Sequence, residues 1–518
     1  MQLQHRAALA AVVVASSTVF LDASIVNIAL PRIGAELPAL GVGVLEGQIY
    51  VVAGYMAALA AFLLPGGALG DLYGRRRAYL VGLAAFGIAS IACGAAPNLD
   101  LLVVARLVQG VAGALLVPGS LAILTALYEG PARTRAFGIW ASTTSAVILA
   151  GPPIGGILVE TVGWRSIFLI NVPLILLALV VTMRAIPELR PVGPRHRFDW
   201  PGATIAAIAV GGLTFGAIRG QETGWSQPIA LAALAVGAVA LVLFPVLMAR
   251  RTDPLVPLAL FRNRTFSAVN VSTFLVYGSL YLVMYLQSLF LQGVLGYSAL
   301  AAALASLPQG LALVLLSAKA GSLATRFGAR RFLVGAPLVM AAGALLWLRV
   351  PSASAPWNAR LDGPASLLPT GAFLTDVLPA TLLFALGISS FVVPLTATLM
   401  ASVPVDRAGI GSAINNALSR VGQPLFSAIA FILLTDRFQA SLREHLPAIA
   451  DLVPAGRAAV QPLNPPVAGT DPALRAAVAI ASTDAFHATM LGAAVLLVLG
   501  ALVNARVAAD DAGTAPQP

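Results

Sequence analysis

The sequence predicts an all-α polytopic membrane protein with fourteen transmembrane helices. Three observations point there. Hydrophobic residues make up 59% of the 518-residue chain. Charged residues account for only 10%, against about 25% in an ordinary soluble domain. Apolar runs of roughly 20 residues, the length that crosses a hydrocarbon core, recur from one end of the chain to the other. This composition excludes a soluble globular enzyme and a single-span anchor bearing a large soluble head.

Breaking the apolar runs at charged or Gly/Pro-rich stretches places the spans near 8–30, 47–69, 78–96, 101–127, 136–159, 166–184, 202–219, 228–249, 266–291, 299–322, 330–349, 372–399, 410–435 and 486–506. The first run is longer than the h-region of a signal peptide, about 7–15 residues, and holds Asp22, so it reads as a helix and not a leader. The net charge of +10 could suggest nucleic-acid binding. The basic residues, nearly all arginine, instead sit in short clusters between apolar runs, so no nucleic-acid partner is expected. Alternate loops carry about twice as many arginines as the others, including Arg75, Arg76, Arg77, Arg250, Arg251, Arg330 and Arg331. By the positive-inside rule those loops and both termini are cytoplasmic. The lone Cys93 forbids an internal disulfide, and four scattered histidines give no metal-ligand spacing.

Residues 67–77 read GALGDLYGRRR, and residues 321–331 read GSLATRFGARR. Each follows the second span of a six-span block. The chain therefore reads as duplicated. Spans 1–6 (residues 1–190) and spans 9–14 (259–518) form two helix bundles, with spans 7–8 (191–258) inserted between them. Duplicated halves are a transporter signature, with a substrate site near the midplane. An external Pro/Ala-rich loop is expected over 437–485, with Ser482 or Thr483 capping the last span.

Several residues carry possible chemistry. Asp22 lies well inside span 1, where a charged Asp costs about 2.5–3.5 kcal/mol on insertion scales. A proton, or pairing with a neighbouring helix, removes that cost. Thr18 lies one turn earlier on the same face. Arg106 in span 4 is always charged, and Gln109, Gly110 and Gly113 share its face. Arg106 either gates proton binding at Asp22 or serves as a fixed ion pair between helices. Span 13 carries a polar stripe of Asn416, Ser419, Arg420 and Gln423 with Asn415 beside it, expected to line a cavity. Tyr277, Tyr281 and Tyr285 make an aromatic stripe on span 9, suited to flat apolar ligands or to helix packing. Gly151 and Pro152 interrupt the hydrogen bonding of span 5, and Gly155 and Gly156 allow its neighbour close approach.

These motifs, taken in order, resemble the fourteen-span drug:proton antiporters of the major facilitator superfamily. The resemblance rests on Leu21-Asp22-x-Ser24-x-Val26-Asn27-x-Ala29-Leu30-Pro31 in span 1, and on Gly67-x-Leu69-x-Asp71-x-x-Gly74-Arg75-Arg76 after span 2. It continues with Arg106-x-x-Gln109-Gly110-x-x-Gly113, Gly151-Pro152-x-x-Gly155-Gly156, and Trp164-Arg165-x-x-Phe168-x-x-Asn171-x-Pro173. Phe198-Asp199-x-x-Gly202 and Leu260-Phe261-Arg262-Asn263 favour the fourteen-span branch. Val147 stands where the span 5 motif usually has another glycine, and Thr325 replaces the acidic residue of the second loop repeat.

The resemblance implies the major facilitator fold, an inner-membrane location, and monomeric, proton-driven export of amphipathic small molecules such as antibiotics. It implicates Arg106 in proton coupling and has Asp71 lock the outward-facing state. No Gly-x-x-x-x-Gly-Lys-Ser/Thr loop occurs, so no nucleotide or other cofactor is expected. The membrane potential supplies about 2.3 kcal/mol per charge per 100 mV, sufficient drive for an exporter. Partners are then protons, small molecules and lipid. A dedicated exporter of one endogenous metabolite is the alternative on the same machinery; a membrane enzyme or a transport-dead sensor is more remote.

Overall fold

The computed structural model describes residues 2–128, 130–188, 199–223, 225–252, 254, 256–403, 408–446, 460–465 and 471–506. The elements among these residues are helices and turns. In a hydrocarbon core every backbone polar group must be satisfied inside the chain, and a helix does this within each segment.

The chain divides into two compact units. The first comprises Met1–Leu255 with Ala302–Leu304, the second Val256–Ala301 with Ala305–Pro518. The first unit contains α1 (Gln2–Glu36), α2 (Val44–Ile49) running through a π-turn (Tyr50–Gly54) into α3 (Tyr55–Tyr73), α4 (Arg75–Gly94) and α5 (Leu99–Leu127). It continues with α6 (Gly130–Thr161), short α7 (Ser166–Leu169), α8 (Asn171–Ala185), α9 (Trp200–Thr223) and α10 (Pro228–Arg250). The two inserted helices, α9 and α10, thus fall within the first unit, packed on each other and, through α9, on α3.

The remaining helices are α11 (Arg264–Gly293), α12 (Ala299–Phe327), α13 (Ala329–Leu346), α14 (Leu378–Ala401), α15 (Ala408–His445) and α16 (Pro472–Ala505). Thirteen helices among the described residues are long and apolar enough to cross a membrane. Of the predicted fifth span only a shorter stretch, Ala146–Thr161, is apolar enough to join them, and it runs over side chains outside the described residues.

Helices pack in the same pattern within each of the two units. In the first unit α1 packs on α6 and α8, while α4 packs on α5 and α8. In the second, α11 packs on α15 and α16, while α13 packs on α14 and α16. The repeated loop also folds alike. Gly74 and Gly328 each join the second helix of a repeat to the third with positive φ, +102° and +91°. A residue with a Cβ is strained there, so both copies keep glycine. Thr325 in the second copy turns its hydroxyl back to the Ser322 carbonyl at 2.7 Å, a purely local bond.

Two boundaries differ from the sequence reading. The last helix starts at Pro472, not near 486, capped by Asp471, whose side chain accepts from the Ala473 amide. Ser482 and Thr483 lie inside it: Ser482 accepts from the Leu463 amide, and Thr483 donates to the Ala479 carbonyl. An Asp-Pro pair is a strong helix start, whereas a hydropathy window registers only the apolar part of a helix. For the same reason α15 continues to His445, past the apolar end near 435. The connector is therefore shorter than 437–485.

Candidate functional site

The site is built around α1 and α5. Asp22 and Arg106 are both sealed from solvent, at 0% and 1% exposure. The Arg106 Nη1 donates to Asp22 Oδ2 at 2.5 Å and lies 2.6 Å from Gln109 Oε1. Its Nε donates to the Val51 carbonyl at 3.0 Å. That carbonyl belongs to the π-turn between α2 and α3, and such turns loosen the regular helical ladder and often mark functional sites. The guanidinium lies over the Tyr55 ring, 3.9 Å from its centroid, with Phe168 at 5.7 Å.

The other carboxylate oxygen is equally engaged. Asp22 Oδ1 accepts from Gln109 Nε2 at 3.0 Å and from Asn171 Nδ2 at 2.9 Å. Ser90 on α4 closes the ring, 2.8 Å from Gln109 Nε2 and 3.4 Å from Asn171 Nδ2. Cys93, one turn on, brings its thiol to 3.5 Å from Gln109 Oε1. α5 and α8 thus meet the α1 carboxylate directly, while α4 and the π-turn reach it through Gln109, Asn171 and Arg106. Asp22 takes three donors, two of them neutral amides. A buried pair is tolerated when its charges meet in good geometry and the remaining lone pairs are satisfied. The Asn171 Oδ1 is buried with no hydrogen-bond partner.

Close backbone approach makes this possible. A Cβ on Gly110 would overlap the Tyr55 carbonyl, so α5 lies directly on α3 beneath the guanidinium. A Cβ on Gly151 would overlap Ser24 Oγ, and one on Gly155 would press on Ile25 at 2.6 Å. The span 5 motif therefore seats α6 against the Asp22 segment of α1. Pro152, Pro153 and Gly156 lie within α6, which remains one continuous helix. A second polar chain fastens α1 lower down: Trp140 donates to Ser16, Ser16 to Ser120, and Tyr79 meets Ser120 at 3.1 Å.

The other predicted residues distribute as follows. Thr18 is buried, but its hydroxyl donates to the Val14 carbonyl at 2.8 Å. Gly74 opens the loop after α3, where a Cβ would overlap Glu188; Arg77 pairs with Glu188 at 3.5 Å. Arg75 and Arg76 donate to the Ala122 and Met183 carbonyls. Gly67 and Asp71 lie within α3, and the side chain of Asp71 is outside the described residues.

In the second unit, Asn415 donates to Asn270 and Thr273 at 3.1 and 2.8 Å, joining α15 to α11. Ser419 donates to the Asn416 carbonyl, and Asn416 is exposed. Arg420 and Gln423 are buried, and Gln423 Oε1 has no hydrogen-bond partner. Tyr277 and Tyr281 lie 6.4 Å apart, with Phe391 6.5 Å from Tyr277. Tyr285 is buried with its hydroxyl unpartnered.

Sequence reasoning paired Asp22 with Arg106 as a hypothesis but gave no role to Asn171, Ser90, Tyr55 or Val51. Asn171 had a signal: a carboxamide opening an apolar span needs a buried partner. Ser90 and a backbone carbonyl of a π-turn carry none.

Among the described residues, no group of three or more acids, histidines or cysteines could hold a metal ion. Membrane-spanning helices in two units of repeated packing, with charges buried in the helix interior, define a transporter. The comparisons with known proteins say which kind. The sequence profile of the Major Facilitator Superfamily matches residues 12–427. The multidrug resistance protein Stp of Mycobacterium tuberculosis is 34% identical over 83% of this chain and 75% of its own length. The puromycin resistance protein pur8 of Streptomyces alboniger is 33% identical over 84% of this chain and 83% of its own. The tetracenomycin C resistance and export protein of Streptomyces glaucescens is 32% identical, covering 83% and 76%. Among solved structures, a bacterial homologue of the human lysosomal transporter Spinster matches with a TM-score of 0.66 at 16% identity. That match covers 98% of this chain and 97% of the other.

The chain belongs to the major facilitator superfamily. It is a multi-pass membrane transporter of small molecules, from a family of transporters and not of enzymes.

Proposed function

We propose that this chain exports amphipathic small molecules, antibiotics among them, in exchange for protons, with Asp22 as the group that exchanges the proton and Arg106 as its counter-charge. The relatives named for drug resistance and export support the direction and substrate class. The observation that carries the coupling is the Asp22 carboxylate, buried and held by three donors from α5 and α8. Protonation removes the charge that holds Arg106, Gln109 and Asn171 together, and so loosens α1 from α5 and α8. One titration is thereby linked to helix packing, as alternating access requires. The same reading has fourteen spans, both termini on the cytoplasmic side of the inner membrane, and a monomeric unit. Arginine bias and the ordered motifs support it.

The test is proton release from inverted membrane vesicles under an imposed proton gradient. The panel is lipophilic cations, neutral antibiotics and anionic metabolites, with Asp22→Asn as the control. Release with several unrelated compounds, lost in the variant, is the expected result. Release with a single compound assigns the chain to one dedicated substrate, and equal release in the variant removes Asp22 from the proton path.

A further inference from the structure

The inserted helices leave an apolar groove that the transport chemistry does not use. It has a volume of about 630 Å³ and is lined by Phe62 and Pro65 of α3, Ala207 and Gly211 of α9, and Ala233 and Val236 of α10. That size falls within the about 300–1,000 Å³ of ordinary ligand pockets.

Its origin is visible in how α9 is fastened. At one end Arg219 pairs with buried Glu46 at 3.2 Å and donates to the Gly41 carbonyl at 2.7 Å. Tyr50 stacks on Phe215 and donates to its carbonyl at 3.2 Å. Beyond these ties the α9 residues that line the groove are mostly small, Ala203, Thr204, Ala207 and Gly211, with Ile208 among them. Neighbouring glycines there have opposite surroundings. A Cβ on Gly212 would meet the Ala233 carbonyl at 2.9 Å, closing α9 on α10, whereas a Cβ on Gly211 would meet nothing within 4 Å.

Two arginines stand near one end of the groove, outside its lining. Trp200 lines it there and is 48% exposed. Asp199, next to it, pairs with Arg251 at 3.6 Å. That bridge brings the end of α10, with Arg251 and the exposed Arg250, beside the Trp200 end of α9.

We propose that the groove holds an acyl chain of an anionic phospholipid, with its headgroup at the rim formed by Trp200, Arg250 and Arg251. Lipid tails are as apolar as the lining, so hydrophobicity alone gives no preference over bulk lipid. Preference comes from the fit of a chain between three helices and from attraction of an anionic headgroup to adjacent arginines. The bound lipid acts as a wedge between the α9–α10 hairpin and α3.

The experiment uses the full chain, purified in detergent and stripped of lipid. It is then incubated with phosphatidylglycerol or phosphatidylcholine, and retained lipid is read by native mass spectrometry. The wild type should retain phosphatidylglycerol in preference to phosphatidylcholine. Gly211→Phe and Ala207→Phe should each lower retention about tenfold, equivalent to roughly 1.4 kcal/mol. Arg250→Gln should abolish the preference while leaving the groove lined as before. Two filling variants guard against misfolding of one, and melting in detergent identifies folded protein. Wild-type retention in a folded filling variant would overturn the proposal. So would equal retention of the two lipids by the wild type, or displacement of phosphatidylglycerol by an exported compound.

Discussion

The Asp22 carboxylate and the Arg106 guanidinium meet at 2.5 Å with neither side chain exposed. Each is the other's compensation for burial, so removing one strands the other. Asp22→Asn and Arg106→Gln should each destabilise by about 3–5 kcal/mol, while the double variant should cost less than the sum. A double-mutant cycle on unfolding in detergent measures this; strict additivity would show that the pair is not energetically coupled. The consequence for transport assays is direct. Loss of efflux in Asp22→Asn must be normalised to folded protein.

Asn171 is the site member whose role is separable from the charges. Its Nδ2 donates to Asp22 at 2.9 Å while its Oδ1 has no partner. Asn171→Ala removes one of three donors to the carboxylate and leaves the ion pair intact. It should cost about 1–3 kcal/mol and change the pH profile of efflux. A variant destabilised by that amount with an unmoved pH profile would reduce Asn171 to a packing role.

The two loop glycines offer an internal control. Gly74 and Gly328 share positive φ, but a Cβ on Gly74 would also overlap Glu188, whereas one on Gly328 would meet nothing within 4 Å. Alanine at Gly328 should cost only the backbone strain of about 1–3 kcal/mol. Alanine at Gly74 should cost more and displace Glu188 from Arg77. Melting temperatures of the two variants decide it, and equal losses would mean that Glu188 gives way freely.

Arg219 secures the inserted hairpin through Glu46, which is fully buried. Arg219→Gln should destabilise by about 1–3 kcal/mol, because Glu46 keeps its bond from the Gly43 amide. Limited proteolysis should then cut more readily in the segments flanking α9 and α10. Unchanged cleavage and melting would assign the anchoring to Tyr50 and Phe215 instead.

The sequence by itself determined the class of fold. Hydropathy reports burial in lipid one residue at a time, and a helix satisfies its own backbone, so long apolar runs translate directly into helices. The duplication was legible for a similar reason. A turn that demands positive φ keeps its glycine, and Gly74 and Gly328 stand at matching positions. Helix ends were less legible, because Asp471-Pro472 and the polar tail of α15 lie outside any apolar window.

Only the tertiary structure decided which polar residues meet. Asp22, Ser90, Arg106 and Asn171 lie on four different helices, and nothing in their spacing says which faces turn together. That depends on the close approach permitted by Gly110, Gly151 and Gly155, on the widened turn at Val51, and on the mutual satisfaction of buried donors and acceptors. Such satisfaction is a property of the assembled bundle and of no single segment.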